Sequence, residues 1–249
     1  MLLYYTCVQI HTKRMIMALY DREYNSTQTT YAESTHTSST VSVSFMKQTY
    51  QLLGASMIAA AVGAYATMPY VEVVMQYKWL IFGFELFMLF IGLGMTRNKP
   101  GLNLAALFLF TFVTGVSLVP LLTSLTQAGN AAMIGNAFLM TSVLFGALSL
   151  FAINAKTDYS SWGKPLFITL IVVIIASLVN YFLLHSPMMH IIITAGILLL
   201  FSLFTIYDTQ NIANGAYSSP VDAAVSLYID FLNMFTSILQ LLGIFGSDD

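Results

Sequence analysis

Seven blocks of apolar residues, each as long as a membrane-crossing helix, constrain the fold of this chain more than any other feature. A hydrocarbon core about 30 Å thick requires roughly 20 helical residues. Because unpaired backbone groups are costly in lipid and the blocks lack the alternation of barrel strands, we predict helices. The blocks are Tyr50–Met68, Trp79–Met95, Leu102–Leu122, Ala131–Ile153, Pro165–Leu184, Met188–Tyr207 and Val221–Phe245. The sequence therefore predicts an all-α membrane protein, a bundle of seven transmembrane helices.

Composition supports this class. Hydrophobic residues make up 57% of the chain and charged residues only 8%, against about 25% charged residues in soluble domains. The net charge of −2 is too small to indicate a nucleic-acid partner. The single cysteine, Cys7, excludes a disulfide framework or a thiolate metal cluster. We predict membrane lipid as the surroundings and no resident cofactor.

Basic residues predict the orientation in the membrane. If all seven blocks span, the other side carries Lys78 alone, and eight basic residues lie on the side of the N-terminus. These eight are Lys13, Arg14, Arg22, Lys47, Arg97, Lys99, Lys156 and Lys164. The positive-inside rule then places the N-terminus in the cytoplasm. A re-entrant seventh block would be the alternative, and it would return the C-terminal end to the cytoplasmic side.

The N-terminal segment differs from the rest. Asn25–Ser44 is rich in Ser and Thr and has no apolar periodicity. Such a composition is typical of a disordered segment. We predict a disordered cytoplasmic arm over residues 1–48 and the transmembrane domain over residues 49–249.

Three acidic side chains, Glu85, Asp208 and Asp230, fall inside or at the end of the apolar blocks. A charge at the centre of a transmembrane helix costs about 2.5–3.5 kcal/mol on insertion scales. Acidic residues that are present in spite of this cost are candidates for a functional role.

Asp230 belongs to a polar stripe along the seventh block. Spacings of three and four residues place the whole stripe on one helical face. The stripe consists of Asp222, Ser226, Asp230, Asn233, Ser237 and Gln240. It could be the hydrophilic side of an interfacial helix; we favour a helix that lines a hydrated interior path.

Asp208, at the end of the sixth block, could simply reach water there. If the sixth helix instead continues beyond Gln210, Asp208 and Asp230 come to similar depth on neighbouring helices. Two carboxylates about 4 Å apart repel by roughly 4 kcal/mol at an effective dielectric near 20. Such a pair would hold one shared proton and titrate as a unit. Loss of that proton would leave two anions that repel each other and attract a cation.

Two further residues have two interpretations each. Arg97, at the end of the second block, could neutralise one carboxylate and hold a closed state, or it could be an ordinary positive-inside residue. Glu85 could line an external approach to the path, or it could be protonated and hydrogen-bonded to a neighbouring helix.

The two aspartates lie in motifs that resemble a known family. Tyr207-Asp208-Thr209-Gln210 and the segment Tyr228-Ile229-Asp230-Phe231-Leu232-Asn233 resemble the Bax inhibitor family, also called the transmembrane Bax-inhibitor-motif family, in its bacterial form. The likeness covers about residues 45–246 and implies a seven-helix bundle of the bacterial inner membrane that leaks Ca²⁺ in a pH-sensitive way. It also implies that Asp208 and Asp230 form the proton-sensing pair, that Arg97 can lock it, and that Glu85 lies along the route. The C-terminal Ser247-Asp248-Asp249 does not match the basic tail of the eukaryotic members.

Calcium chemistry suits this set of residues. Ca²⁺ takes six to eight oxygen ligands, and a permeation route needs weak, partly hydrated binding. We predict transient Ca²⁺ contacts at Asp208 and Asp230, with Ser226, Asn233, Ser237 and Gln240 along the pathway.

Two other functions stay open. A membrane scaffold or a regulator of a membrane protease would use the aspartates structurally and would have other membrane proteins as partners. An intramembrane aspartyl protease also shares a proton between aspartates on consecutive helices. Its second aspartate belongs to a Gly-x-Gly-Asp motif, however, whereas Leu227-Tyr228-Ile229 precedes Asp230. We therefore predict that the chain is not an enzyme.

Overall fold

The structure, a computed structural model, describes residues 38–97 and 99–246. In this part of the chain all regular structure is helical, and seven helices are long and apolar enough to cross a membrane. Their main α-helical parts are α1 (Ser38–Thr67), α2 (Lys78–Phe87), α3 (Pro100–Gln127), α4 (Ala132–Asn154), α5 (Gly163–Val179), α6 (Pro187–Ala213) and α7 (Pro220–Phe245); shorter helical segments lengthen the spans that contain α1, α2 and α5. The predicted seven-helix fold is confirmed.

Short helical segments extend or join these helices. A 3₁₀ turn at Met68–Tyr70 and a short helix at Val71–Gln76 follow α1. The π-helical turn Met88–Gly92 and the segment Leu93–Thr96 continue α2, and the π-helical turn Asn180–Leu184 continues α5. The turn in α2 begins three residues after Glu85, and π-helical turns inside α-helices are frequent at functional sites.

Two expectations about the ends of the transmembrane domain need correction: where it begins, and whether its last block is re-entrant. Helix α1 begins at Ser38, so the predicted disordered arm cannot extend to residue 48; residues 1–37 lie outside the described residues. Ser and Thr side chains can occur in this part of the helix because backbone carbonyls accept hydrogen bonds from their hydroxyl groups. The Thr49 hydroxyl, for example, donates to the carbonyl of Phe45 over 3.0 Å. The seventh block is one uninterrupted helix of 26 residues, so the re-entrant alternative is wrong.

Helix α7 lies at the centre of the bundle. It packs against α1, α3, α4 and α6, and every residue from 223 to 239 is buried. An interfacial helix would expose its polar face to water, whereas the polar stripe of α7 faces protein over most of its length.

Helices α1 and α3 pack at backbone contact. A Cβ atom added to Gly115 would lie 1.9 Å from the carbonyl oxygen of Ala60, and one added to Gly63 would lie 2.2 Å from that of Phe112. Small residues permit such close approach between membrane helices. The two glycines therefore fix the distance between α1 and α3.

One end of the bundle carries several basic residues. One cavity is lined by residues from the starts of α1, α3 and α7 and by Arg97, which follows the continuation of α2, so these four parts of the chain meet at this end. Lys47, Arg97 and Lys99 belong to these segments. We call this the basic end.

Candidate functional site

The two aspartates of the sequence motifs are both buried. Asp208 is 2% exposed on α6 and Asp230 is 0% exposed on α7, and these two helices pack against each other. Helix α6 continues to Ala213, beyond Gln210, which is the condition that brings Asp208 toward the depth of Asp230. Both acids are thus held in the interior of the bundle by neighbouring helices.

A tyrosine from the loop between α6 and α7 joins the two helices at this site. The Tyr217 hydroxyl donates to Oδ1 of Asp208 over 3.1 Å and lies 3.0 Å from Oγ of Ser226. Ser226 is one helical turn before Asp230 on the same face of α7. Tyr217 therefore connects Asp208 to the polar stripe.

The surroundings of Tyr217 favour its protonated form. Burial raises the pKa of Tyr217 well above its ordinary value of 10.0, and the negative charges of Asp208 and Asp230 add to this rise. The hydrogen bond with Ser226 acts in the opposite direction. Tyr217 hence keeps its proton at physiological pH and remains a donor to Asp208.

Removing this hydroxyl should destabilise the bundle. We expect Tyr217→Phe to lower the free energy of unfolding by about 1–3 kcal/mol, because a buried oxygen of Asp208 loses its donor. Denaturant unfolding of the purified protein measures this. Tyr65→Phe makes the same change at a position 83% exposed and should have no effect; equal losses in both variants would contradict the contact.

The raised pKa also has a consequence for alkaline stability. A phenol whose pKa is higher in the folded than in the unfolded state lowers the free energy of unfolding as pH rises above about 10. We expect Tyr217→Phe to lose part of this alkaline decrease. Unfolding curves at neutral and alkaline pH compare the two proteins, and an unchanged decrease would contradict the assignment.

Arg97 contacts a third carboxylate. Of its two interpretations, one had it neutralise a carboxylate of the Asp208/Asp230 pair; in the structure its Nε atom is 2.9 Å from Oδ2 of Asp222, and its Nη2 donates to the Ser218 hydroxyl. The reason is depth: Arg97 follows the end of α2 and meets the first turn of α7, whereas Asp230 is two turns further in. Arg97 thus links the end of α2 to the start of α7.

The other predicted pathway residues have different surroundings. Ser237 and Asn233 are each 2% exposed, and the Asn233 amide donates to the carbonyl of Ile229 in its own helix over 2.7 Å. Gln240 is half-buried near the end of α7. Glu85 is 1% exposed, so its side chain lies inside the bundle.

Sequence reasoning missed two contacts near Asp208. The Gln210 side chain accepts from the backbone N–H of Tyr159 and donates to the carbonyl of Thr157 over 2.9 Å. These bonds fix the loop between α4 and α5 against the end of α6. The second was the contact between Tyr217 and Asp208. Its signal in the sequence was a bulky aromatic residue within the six-residue loop between α6 and α7, which could have indicated a buried side chain.

The described residues contain no group of three or more His, Cys, Asp or Glu side chains that could hold a metal ion.

Comparison with known proteins supports the resemblance seen in the motifs. The model of the family described as "Inhibitor of apoptosis-promoting Bax1" matches residues 42–247. The chain belongs to this Bax inhibitor family. A Helicobacter pylori (strain J99) protein is 46% identical over 233 residues, which cover 94% of this chain and all of that protein.

Two Escherichia coli K12 relatives carry descriptive names. "Modulator of FtsH protease YccA" is 34% identical over 154 residues, covering 62% of this chain and 69% of that protein. "Inner membrane protein YbhL" is 32% identical over 158 residues, covering 59% and 65%. Together with the seven apolar helices, these relatives identify this member of the Bax inhibitor family as a multi-pass inner membrane protein.

Proposed function

We propose that this Bax inhibitor family member is a pH-sensitive Ca²⁺ leak pathway gated by Asp208 and Asp230. The single observation that carries the proposal is the burial of both acids on α6 and α7, two helices that pack against each other, with the Tyr217 hydroxyl donating to Asp208. Two buried carboxylates in one low-dielectric region favour a single shared proton.

The shared proton would hold α6 and α7 together in a closed bundle. Its loss at higher pH would leave two anions whose repulsion loosens the contact and whose charge attracts Ca²⁺. Asn233, Ser226, Ser237 and Gln240 would supply oxygen contacts along α7, and Glu85 would add a carboxylate from α2. Flux should therefore rise with pH.

Reconstitution tests this function directly. We expect purified protein in liposomes that contain a Ca²⁺ indicator to admit Ca²⁺ faster at alkaline than at acidic pH. Protein-free liposomes and liposomes with Mg²⁺ outside control for general leakage. Absence of Ca²⁺ entry at every pH, with folded protein shown to be inserted, would contradict the proposal.

A second candidate function is regulation of a membrane protease. The relative named "Modulator of FtsH protease YccA" favours it, and transport is not required for such a role. Under this alternative the chain would co-purify with a membrane protease and alter its proteolysis in vitro, and Asp208→Asn would leave that effect unchanged.

A further inference from the structure

A cavity opens at the basic end of the bundle, and neither Asp208 nor Asp230 lines it. Its volume is about 540 Å³, within the range of small-molecule sites. It lies between the start of α1, the residues around Arg97, the start of α3 and the start of α7. Its polar lining includes Gln48, Gln51, Arg97 and Asn103, and Leu52 and Leu104 contribute apolar surface. The cavity is thus amphipathic.

Arg97 brings hydrogen-bond donors to this cavity. Its contacts among the described residues are with Asp222 and Ser218 and use two of the five N–H donors of a guanidinium. The remaining donors suit a phosphate, which guanidinium binds in a fork geometry. Three basic residues at this end, against Asp222 alone on the adjoining turn of α7, favour a ligand with negative charge.

Asn103 supplies the second, independent observation. Its side chain is 2% exposed, lines the cavity, and has a buried Oδ1 atom with no hydrogen-bond partner among the described residues. A buried acceptor without a donor costs about 1–3 kcal/mol. A rotation of the amide would bring this oxygen to the cavity surface, where a hydroxyl group of a bound ligand would satisfy it.

We propose that this cavity binds the headgroup of an anionic glycerophospholipid, with the phosphate at Arg97 and headgroup hydroxyls at Asn103. The apolar residues of the lining would contact the glycerol backbone and the first acyl carbons. Basic pockets between helix ends are places where membrane proteins bind lipid headgroups. The site is independent of the proposed leak, since binding requires neither a shared proton nor Ca²⁺.

Binding of short-chain lipids to the purified full chain in nonionic detergent tests the site. We expect dihexanoyl phosphatidylglycerol to bind about tenfold more tightly than dihexanoyl phosphatidylcholine, whose headgroup has no net negative charge and no hydroxyl donor. Arg97→Gln should weaken phosphatidylglycerol binding about tenfold or more. Asn103→Leu should weaken the binding of phosphatidylglycerol and leave that of phosphatidylcholine, which has no hydroxyl group to lose, unchanged. Lys164→Gln removes a basic residue that does not line the cavity and should change the affinity less than about twofold.

Asp222→Asn separates a binding site from mere structural damage. Asp222 competes with the ligand for Arg97, so its neutralisation should tighten phosphatidylglycerol binding several-fold, opposite to the effect of Arg97→Gln. Weaker or unchanged binding in Asp222→Asn would overturn the proposal. So would full displacement of the lipid by inorganic phosphate at equal affinity, which would identify a free-anion site. Because no ion flux is measured, failure here is distinguishable from failure of the proposed leak.

Discussion

In Asp208→Asn and Asp230→Asn variants, Ca²⁺ flux should stay at the low, acid-side rate at every pH. Asparagine is neutral and can donate a hydrogen bond to the remaining aspartate. This hydrogen bond holds α6 and α7 together at high pH as well as at low pH. In the unchanged protein, control by one proton can alter flux by up to about tenfold per pH unit. Reconstituted flux across a pH series measures the difference.

The control is a carboxylate outside the interior. Asp158 lies in the loop between α4 and α5, where hydrogen bonds from Ser160 hold the pKa of this carboxyl below its ordinary value. Its charge therefore does not change over the neutral range, and Asp158→Asn should keep the full pH dependence. Unchanged pH dependence in both Asp208→Asn and Asp230→Asn would contradict gating by this pair.

Gly115→Ala should cause the largest loss of stability among single methyl additions in the bundle. The new Cβ would lie 1.9 Å from the carbonyl oxygen of Ala60 and 2.7 Å from its carbonyl carbon, so the backbones of α1 and α3 must move apart. We expect a cost of about 3 kcal/mol, the upper end of the usual range for overpacking. Thermal unfolding of the purified protein should shift strongly downward.

Gly146 in α4 provides the matched control. A Cβ added there meets no atom within 4 Å, and alanine has a better helix propensity than glycine. Gly146→Ala should leave the unfolding temperature unchanged or raise it slightly. A similar, small effect of both substitutions would contradict the close approach of α1 and α3.

The helices were predictable because few backbone structures satisfy all their hydrogen bonds in lipid. An apolar run of about 20 residues must satisfy its own backbone, so a helix follows. Block lengths and the Pro and Gly residues between the blocks thus placed seven helices nearly correctly. The start of α1 was missed because Ser- and Thr-rich sequence also occurs in disordered segments, and composition alone does not distinguish that case from a polar helix extension.

The site was predictable only in part. Asp208 and Asp230 stood out because buried charge is costly, and the spacing of the stripe on α7 showed which residues share its face. The partner of Arg97 could not be inferred from the sequence. It depends on the depth in the bundle that the end of the second span reaches beside α7, and the number of residues in each block does not give that depth. Tyr217 was also missed, because loop position does not reveal whether a side chain turns inward.

The proton shared between Asp208 and Asp230 can be observed without any transport assay. Infrared spectroscopy of the protein in lipid membranes detects the carbonyl stretch of a protonated carboxylic acid. We predict one such band, lost in a single step as pH rises, with that step shifted or abolished in Asp208→Asn and in Asp230→Asn. Two independent steps, or carboxylates that stay fully ionised across the pH series, would contradict the shared proton.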